Sequence, residues 1–195
     1  MPRKRRILEE NGFYHVFNRG ICRKQIQFSK FFQDEFFAQL CISVDKYKVQ
    51  IHAYCLMENH YHFLINTPHA NLDKFMQHFA SGLSRKINRL LGGDGALFRS
   101  RYRSVYVESD HYILQLMKYI HRNPVEASIV DKPENYTLSS YKSYLGMVKS
   151  PKWLTQNFLK SLFNNTESIK QFHEVPVPEF VSKQYARVQI PDRLK

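Results

Sequence analysis

Long apolar stretches are missing from this chain. None is long enough to cross a bilayer, so no helical membrane span is expected. The start, MPRKRR, is charged, and no apolar segment of the secretory kind follows it, so the expected location is cytoplasmic. Cysteine is scarce. Cys22, Cys41 and Cys55 form no C-x-x-C pair, which argues against a structural zinc knuckle. An odd cysteine count without a leader points to a reducing compartment. Glycine (7) and proline (8) are too few for a fibrous or disordered chain, and no internal repeat is visible. Acidic residues are in deficit, 17 against 29 basic, giving a net charge of +12. Such an excess favours a polyanionic partner through release of counterions condensed on phosphates. A generally basic protein shares the same composition, so the charge alone does not decide.

Aromatic residues are plentiful, with 15 Phe and 12 Tyr, and 43% of the chain is hydrophobic. At 195 residues this suits one domain with a small addition. The expected division is a main domain over 1–135 and a helical or extended appendage over 136–195 packed on it.

Residues 13–19, FYHVFNR, read as a strand closed by Asn18-Arg19-Gly20. Residues 29–46 read as a helix capped by Ser29, with Phe32, Phe36, Phe37, Leu40 and Val44 at helical spacing. Residues 48–57 and 60–65 form a hairpin about Glu58-Asn59. Asn71 or Asp73 caps a helix to Leu91, with Phe75, Phe79, Leu83, Ile87 and Leu90 on one side and a glycine-rich stop after it. Residues 99–107 read as a fourth strand. A helix then runs from His111, behind Ser109 or Asp110, to Arg122, and Pro124 is expected to end it. The order β-α-β-β-α-β predicts an α+β, ferredoxin-like (split βαβ) four-stranded antiparallel sheet with helices on one face, followed by a further helix. Beyond about residue 135 the aromatics Tyr136, Tyr141, Tyr144, Trp153 and Phe158 suggest a mostly helical tail. Residues 174–195, with Pro176, Pro178 and Pro191, read as an extended end.

His60 and His62 stand two apart on the third strand, so both imidazoles point to one face while Tyr61, Phe63 and Ile65 point to the other. Two adjacent imidazoles can hold one divalent cation. H-x-H is also common on plain solvated sheets. Leu64, on the histidine side, departs from the polar pattern. His15 and His52 lie on neighbouring strands, but their faces depend on register.

On the following helix Tyr119 and Asn123 are spaced i, i+4 and share a face, with Gln115 and Tyr112 near it. Ile113, Leu116, Met117 and Ile120 fall on the opposite side, expected to dock on the sheet. A phenol can attack phosphorus if it loses its proton, and a cation beside the phosphate favours the attack. A tyrosine at this spacing is also a common core residue.

The strand YCLMENHYHFLI resembles the His-hydrophobe-His strand of the HUH nucleases, and FRSRYRSVYVESDHYILQLMKYIHRNPVEASIV resembles the tyrosine-helix region of single-tyrosine transposases. The branch it is most similar to is the REP-associated tyrosine transposase-like group of the IS200-like transposases, over residues 13–145. The resemblance implies His60 and His62 as metal ligands, Tyr119 as nucleophile and Asn123 as a third, polar ligand. It implies Mg²⁺ or Mn²⁺ as cofactor and single-stranded DNA beside a REP-like hairpin as substrate. It implies a monomer or a homodimer. Two-tyrosine relatives use a pair of tyrosines on one helix, and Tyr112 lies seven residues before Tyr119 on the same face, but the Asn-Pro-Val context marks Tyr119 as the single nucleophile.

DNA contacts are expected from Arg85, Lys86 and Arg89 on the second helix, and from Arg99, Arg101 and Arg103 alternating along the fourth strand. Three other readings remain: a non-catalytic nucleic-acid module, a phosphodiesterase using activated water, and a domesticated transposase that binds without moving DNA.

Overall fold

The computed structural model describes residues 6–20, 29–179 and 181. The first five residues of the basic start, Cys22, and the extended end beyond residue 181 with Pro191 lie outside the described residues. The elements run β1 (Gly12–Arg19), α1 (Lys30–Tyr47), β2 (Gln50–Leu56), β3 (His60–Thr67), α2 (Leu72–Leu91), β4 (Arg103–Val107) and α3 (Asp110–Glu126). A 3₁₀ turn (Pro133–Asn135) and short helices α4 (Tyr141–Tyr144), α5 (Asn157–Ser161) and α6 (Thr166–Glu174) follow. The strands form one antiparallel sheet in the order β2-β3-β1-β4, the ferredoxin-like arrangement.

Local chemistry explains the first half. Ser29 Oγ accepts the Phe32 N–H at 3.1 Å and so caps α1, which buries Phe32, Phe36 and Leu40. The helix ends at Lys48, in the left-handed region. α2 buries Phe75, Phe79, Leu83 and Ile87 on one stripe. Leu90 departs from the expectation. It is 55% exposed, like Leu91, because the last turn of α2 runs past the packed surface. The two helices meet at Gly82, where an added Cβ would stand 2.5 Å from the Gln39 amide. That closeness lets α1 and α2 lie side by side over Tyr14, Val16, Tyr61, Phe63 and Ile65 of the sheet.

The other face of the sheet is covered as well. α3 packs on β2 and β3, and Ala53, Cys55 and Leu64 join Ile113, Leu116, Met117 and Ile120 in a second core. Leu64 is apolar on the histidine side because it lies under this helix. The tail completes that core with Tyr141, Tyr144, Leu159 and Ile169. It also covers the free edge of β2. Leu56 N–H donates to Leu138 O at 2.8 Å, Ser140 N–H to Tyr54 O at 3.0 Å, and Thr155 N–H to Ile51 O at 2.8 Å. An edge strand with its polar groups paired in this way cannot template aggregation.

Three expectations are corrected. Pro124 does not end α3, which continues to Glu126 with Ala127 N–H bonded to Asn123 O at 3.0 Å. The proline removes one donor near the end of the helix, and burial of Asn123 and Pro124 holds the turn in place. α3 has no outer face at its centre. Tyr119, Lys118, His121 and Gln115 are buried along with the apolar stripe: Tyr119 turns onto His15 and His62 of the sheet, while the tail covers Lys118 with Phe172 and His121 with His173 and Ser140. The fourth strand spans Arg103–Val107 only. Phe17 pairs with Arg103, but Gly20 bridges Phe98, so the chain between bows out of the ladder.

Candidate active site

Strand alternation places His60 and His62 on the face that α3 covers. The β1 register brings Phe17 opposite His62 and Arg19 opposite His60. The two histidine rings lie 4.9 Å apart, centroid to centroid, nearly perpendicular. Tyr119 drops from α3 onto the same spot, its ring edge-on to His62 at 5.7 Å and to His15 at 5.8 Å. Asn123, one turn later, brings its Oδ1 to 3.4 Å from His60 Nε2. Two imidazoles, a phenol and an amide from distant stretches thus meet within one chain.

The second nitrogen of each histidine is engaged. His60 Nδ1 lies 2.7 Å from Asn59 Oδ1, a pure acceptor, so the proton of the neutral ring sits on Nδ1. His60 Nε2 then turns a lone pair toward the Asn123 carbonyl oxygen, as that amide is oriented. His62 Nδ1 lies 2.8 Å from His15 Nε2, and the two rings stack within 18°. With the proton on His62 Nδ1, its Nε2 is a buried lone pair with no hydrogen-bond partner among the described residues. Burial lowers His60 to about 4, with Arg19 adding to the effect and Asn123 opposing it. Burial, with the neighbouring His60 and His15, lowers His62 well below the usual imidazole range. Both rings are therefore neutral at pH 7, the state that binds cations.

A divalent cation fits this donor set. Two lone-pair nitrogens and an amide oxygen converge, and each imidazole is oriented through its other nitrogen, as metal-binding histidines usually are. Among the described residues no group of three His, Cys, Asp or Glu side chains gathers around a point. Asn123 would add a third donor, its amide oxygen 3.4 Å from His60 Nε2. Phosphate oxygens and water would complete the shell of Mg²⁺ or Mn²⁺.

Tyr119 is 4% exposed. Burial pushes its hydroxyl up to about 12, and the Asn123 side chain draws it back. Two residues here escaped the sequence reading. His15 could not be assigned a face without the register of β1. Arg19 read as part of a turn, yet it sits opposite His60 and its charge is felt there. Nothing local to either residue signals the role.

The expected DNA-contact residues do not gather at this spot. Arg85 and Arg89 are exposed on α2, in the opposite layer. Lys86 is bound to Glu35 of α1, Nζ to Oε2 2.8 Å, so it is engaged within the fold. Arg99, Arg101 and Arg103 are all exposed, but they share no strand face. Arg99 and Arg101 lie in the bowed segment, anchored by Arg99 N–H to Arg19 O at 2.9 Å, and only Arg103 belongs to β4. Among the described residues no helix is long and apolar enough to cross a membrane.

No curated protein matches this sequence. Among solved structures, a REP-associated tyrosine transposase bound to a REP hairpin superposes with a TM-score of 0.67 at 13% identity, covering 80% of this chain and 93% of that one. At that identity the likeness shows the fold. A structure described as a transposase of Deinococcus radiodurans matches at 19% identity and a TM-score of 0.42, covering 63% of this chain and 97% of that one. The family model "Transposase IS200 like" matches residues 10–123, from the entry into β1 to Asn123, which is more than half of the chain. The chain belongs to the IS200-like transposase family.

Proposed function

We propose that this transposase breaks and rejoins single-stranded DNA through a covalent link to Tyr119, with a divalent cation held by His60, His62 and Asn123. The observation that carries the reading is the edge-on approach of the Tyr119 ring to His62 at 5.7 Å, with His62 Nε2 unpartnered among the described residues and His60 Nε2 facing the Asn123 amide oxygen at 3.4 Å. A bound cation would neutralise charge on the scissile phosphate. Arg19, opposite His60, supplies a fixed positive charge to the same group.

The chemistry balances as a transesterification. The Tyr119 oxygen forms a bond to phosphorus, the phenol proton leaves, and the bond from phosphorus to the 3′-oxygen breaks. That oxygen takes up a proton as a free 3′-hydroxyl, and the 5′-phosphate stays on the tyrosine. A different 3′-hydroxyl reverses the step and joins a new strand. A hydroxyl near 12 is un-ionised at neutral pH, so deprotonation must accompany attack. Asn123, by drawing that value down, takes part in activation as well as in cation binding. The hairpin in the complex of the REP-associated protein supports a folded single strand as substrate here too. All the proposed groups come from one chain, so a monomer suffices for the chemistry.

The test is a Tyr119→Phe protein incubated with end-labelled single strands and Mn²⁺. Loss of the covalent adduct with strand binding retained is expected. Adduct at the wild-type level would overturn the assignment, and cleavage without adduct would favour activated water.

A further inference from the structure

Across the sheet from His60 lies a cleft of about 560 Å³ between α2 and the bowed segment that precedes β4. We infer that this cleft is a subsite for one unpaired nucleotide of the DNA strand, with the base inside and its phosphate on Arg6 and Arg101. The inference rests on the single-strand reading above and adds to it a place outside the tyrosine site.

The cleft exists because the ladder between β1 and β4 is interrupted. Phe17 pairs with Arg103 and Gly20 bridges Phe98, so four residues of one strand face two of the other. The surplus leaves the ladder and lines the cleft together with α2. The bow is held by Arg99 N–H on Arg19 O and by Asn18 Nδ2 on Ser100 O at 3.2 Å. Below it Tyr102 is 8% exposed, and the Arg6 guanidinium lies 4.1 Å from the centre of its ring while donating to Tyr102 O at 2.9 Å. A cation anchored to an aromatic ring at a cleft wall is a fixed point for a phosphate.

The lining has mixed chemistry. Arg6 and Arg101 are cationic, Phe98 is a flat apolar surface, and Gln77 and Asp73 on α2 offer polar atoms at the side. An inorganic anion would need no apolar wall and would be repelled by Asp73. A purely apolar ligand would leave both arginines unused. A base with its phosphate uses all of them: the ring against Phe98, an exocyclic amine toward Asp73 or Gln77, and the phosphate on arginine. The volume suits one nucleotide.

Its position links it to the proposed chemistry. Asn18 lines the cleft on one face of β1, and the next residue, Arg19, stands opposite His60 on the other face. A strand that passes round this end of the sheet would place a base in the cleft while a neighbouring phosphate lies near the histidines. The cleft would then read a base close to the cut.

The experiment is fluorescence anisotropy in EDTA, which keeps the strand intact. Two fluorescein-labelled strands of about 12 nucleotides are compared, one of mixed sequence and one with abasic sites throughout. Wild type is expected to bind the base-bearing strand about tenfold more tightly. Ala80→Trp, an indole filling the cleft from α2, should erase that preference and leave the abasic strand unaffected. Ser81→Met repeats the block from the adjacent position should the first variant melt early. Either folded variant keeping the full preference would overturn the subsite, as would a wild type that ignores bases. Binding of neither strand by wild type would instead overturn the single-strand reading itself.

Discussion

His15 Nε2 and His62 Nδ1 lie 2.8 Å apart, deep in the protein, with their rings stacked within 18°. The contact couples β1 to β3 and decides which nitrogen of His62 is left for a ligand. With His15 as acceptor, His62 presents Nε2 toward the site as a lone pair.

Replacing His15 by Phe removes that acceptor and frees the tautomer of His62. Mn²⁺ affinity, read by titration of the protein without DNA, should fall about 10–100-fold, the usual cost of losing such a support. His15→Asn, which keeps a polar atom on the strand, should recover part of it. Unchanged affinity in a folded His15→Phe protein would show that His62 needs no orientation from β1.

Arg101→Glu should weaken single-strand binding and flatten its salt dependence, since fewer counterions are released. Lys86→Ala should leave the salt slope unchanged, because Glu35 already holds that ammonium at 2.8 Å. A Lys86 effect equal to that of Arg101 in the same titration would show that Lys86 leaves Glu35 to meet the DNA.

Ser140 ties the tail to the tyrosine helix. Its Oγ lies 2.7 Å from His121 Nε2 and accepts the Tyr54 N–H at 2.9 Å. His121 Nδ1 in turn lies 2.8 Å from His173 Nε2, so β2, α3 and α6 share one buried chain of hydrogen bonds. Ser140→Ala strands a buried acceptor and a buried donor. Chemical unfolding should show a loss of about 1–3 kcal/mol for each orphaned group. A loss well under 1 kcal/mol in total would mean the chain contributes little to holding α3.

Acid should destabilise the fold early. Burial lowers His173 to about 3 and His52 to about 4, from 6.5 for an open imidazole. Between those limits the unfolded chain binds protons that the folded chain refuses. Stability is therefore complete above about pH 6.5 and falls as pH drops toward 4, by up to about 1.4 kcal/mol per unit for each group. Thermal unfolding at pH 7.5, 6 and 5 reads the slope. His52→Phe, beside Phe13 and Phe158, should reduce it. A Tm that does not move over this range would contradict neutral buried imidazoles.

Much of the fold was legible because its signals are periodic and local. Ser29 announces α1 through its cap, and the Glu58-Asn59 turn announces the hairpin. The alternation of His60, Tyr61, His62 and Phe63 assigned each side chain to the correct face. Asn123 was reached from its spacing to Tyr119, and it does stand beside His60. The fourth strand was overextended because Arg99-Ser100-Arg101-Tyr102 alternates like a strand, while its partner β1 ends at Arg19. The amphipathic sequence of α3 suggests an outer face, but Tyr119 and Asn123 turn onto the histidines of the sheet and the tail covers Lys118 and His121.

What the sequence determined by itself was the type of each main element, the common face of the histidine pair, and the charge that suits a polyanion. These depend on neighbours along the chain, where covalent geometry sets the period. Tertiary structure decided that His15 backs His62, that Arg19 faces His60, that Glu35 takes Lys86, that Tyr119 meets the histidines, and that the tail closes over His121. Each of those is a meeting between distant segments. Strand register and the packing of whole layers set them, and neither is written in any short stretch of residues.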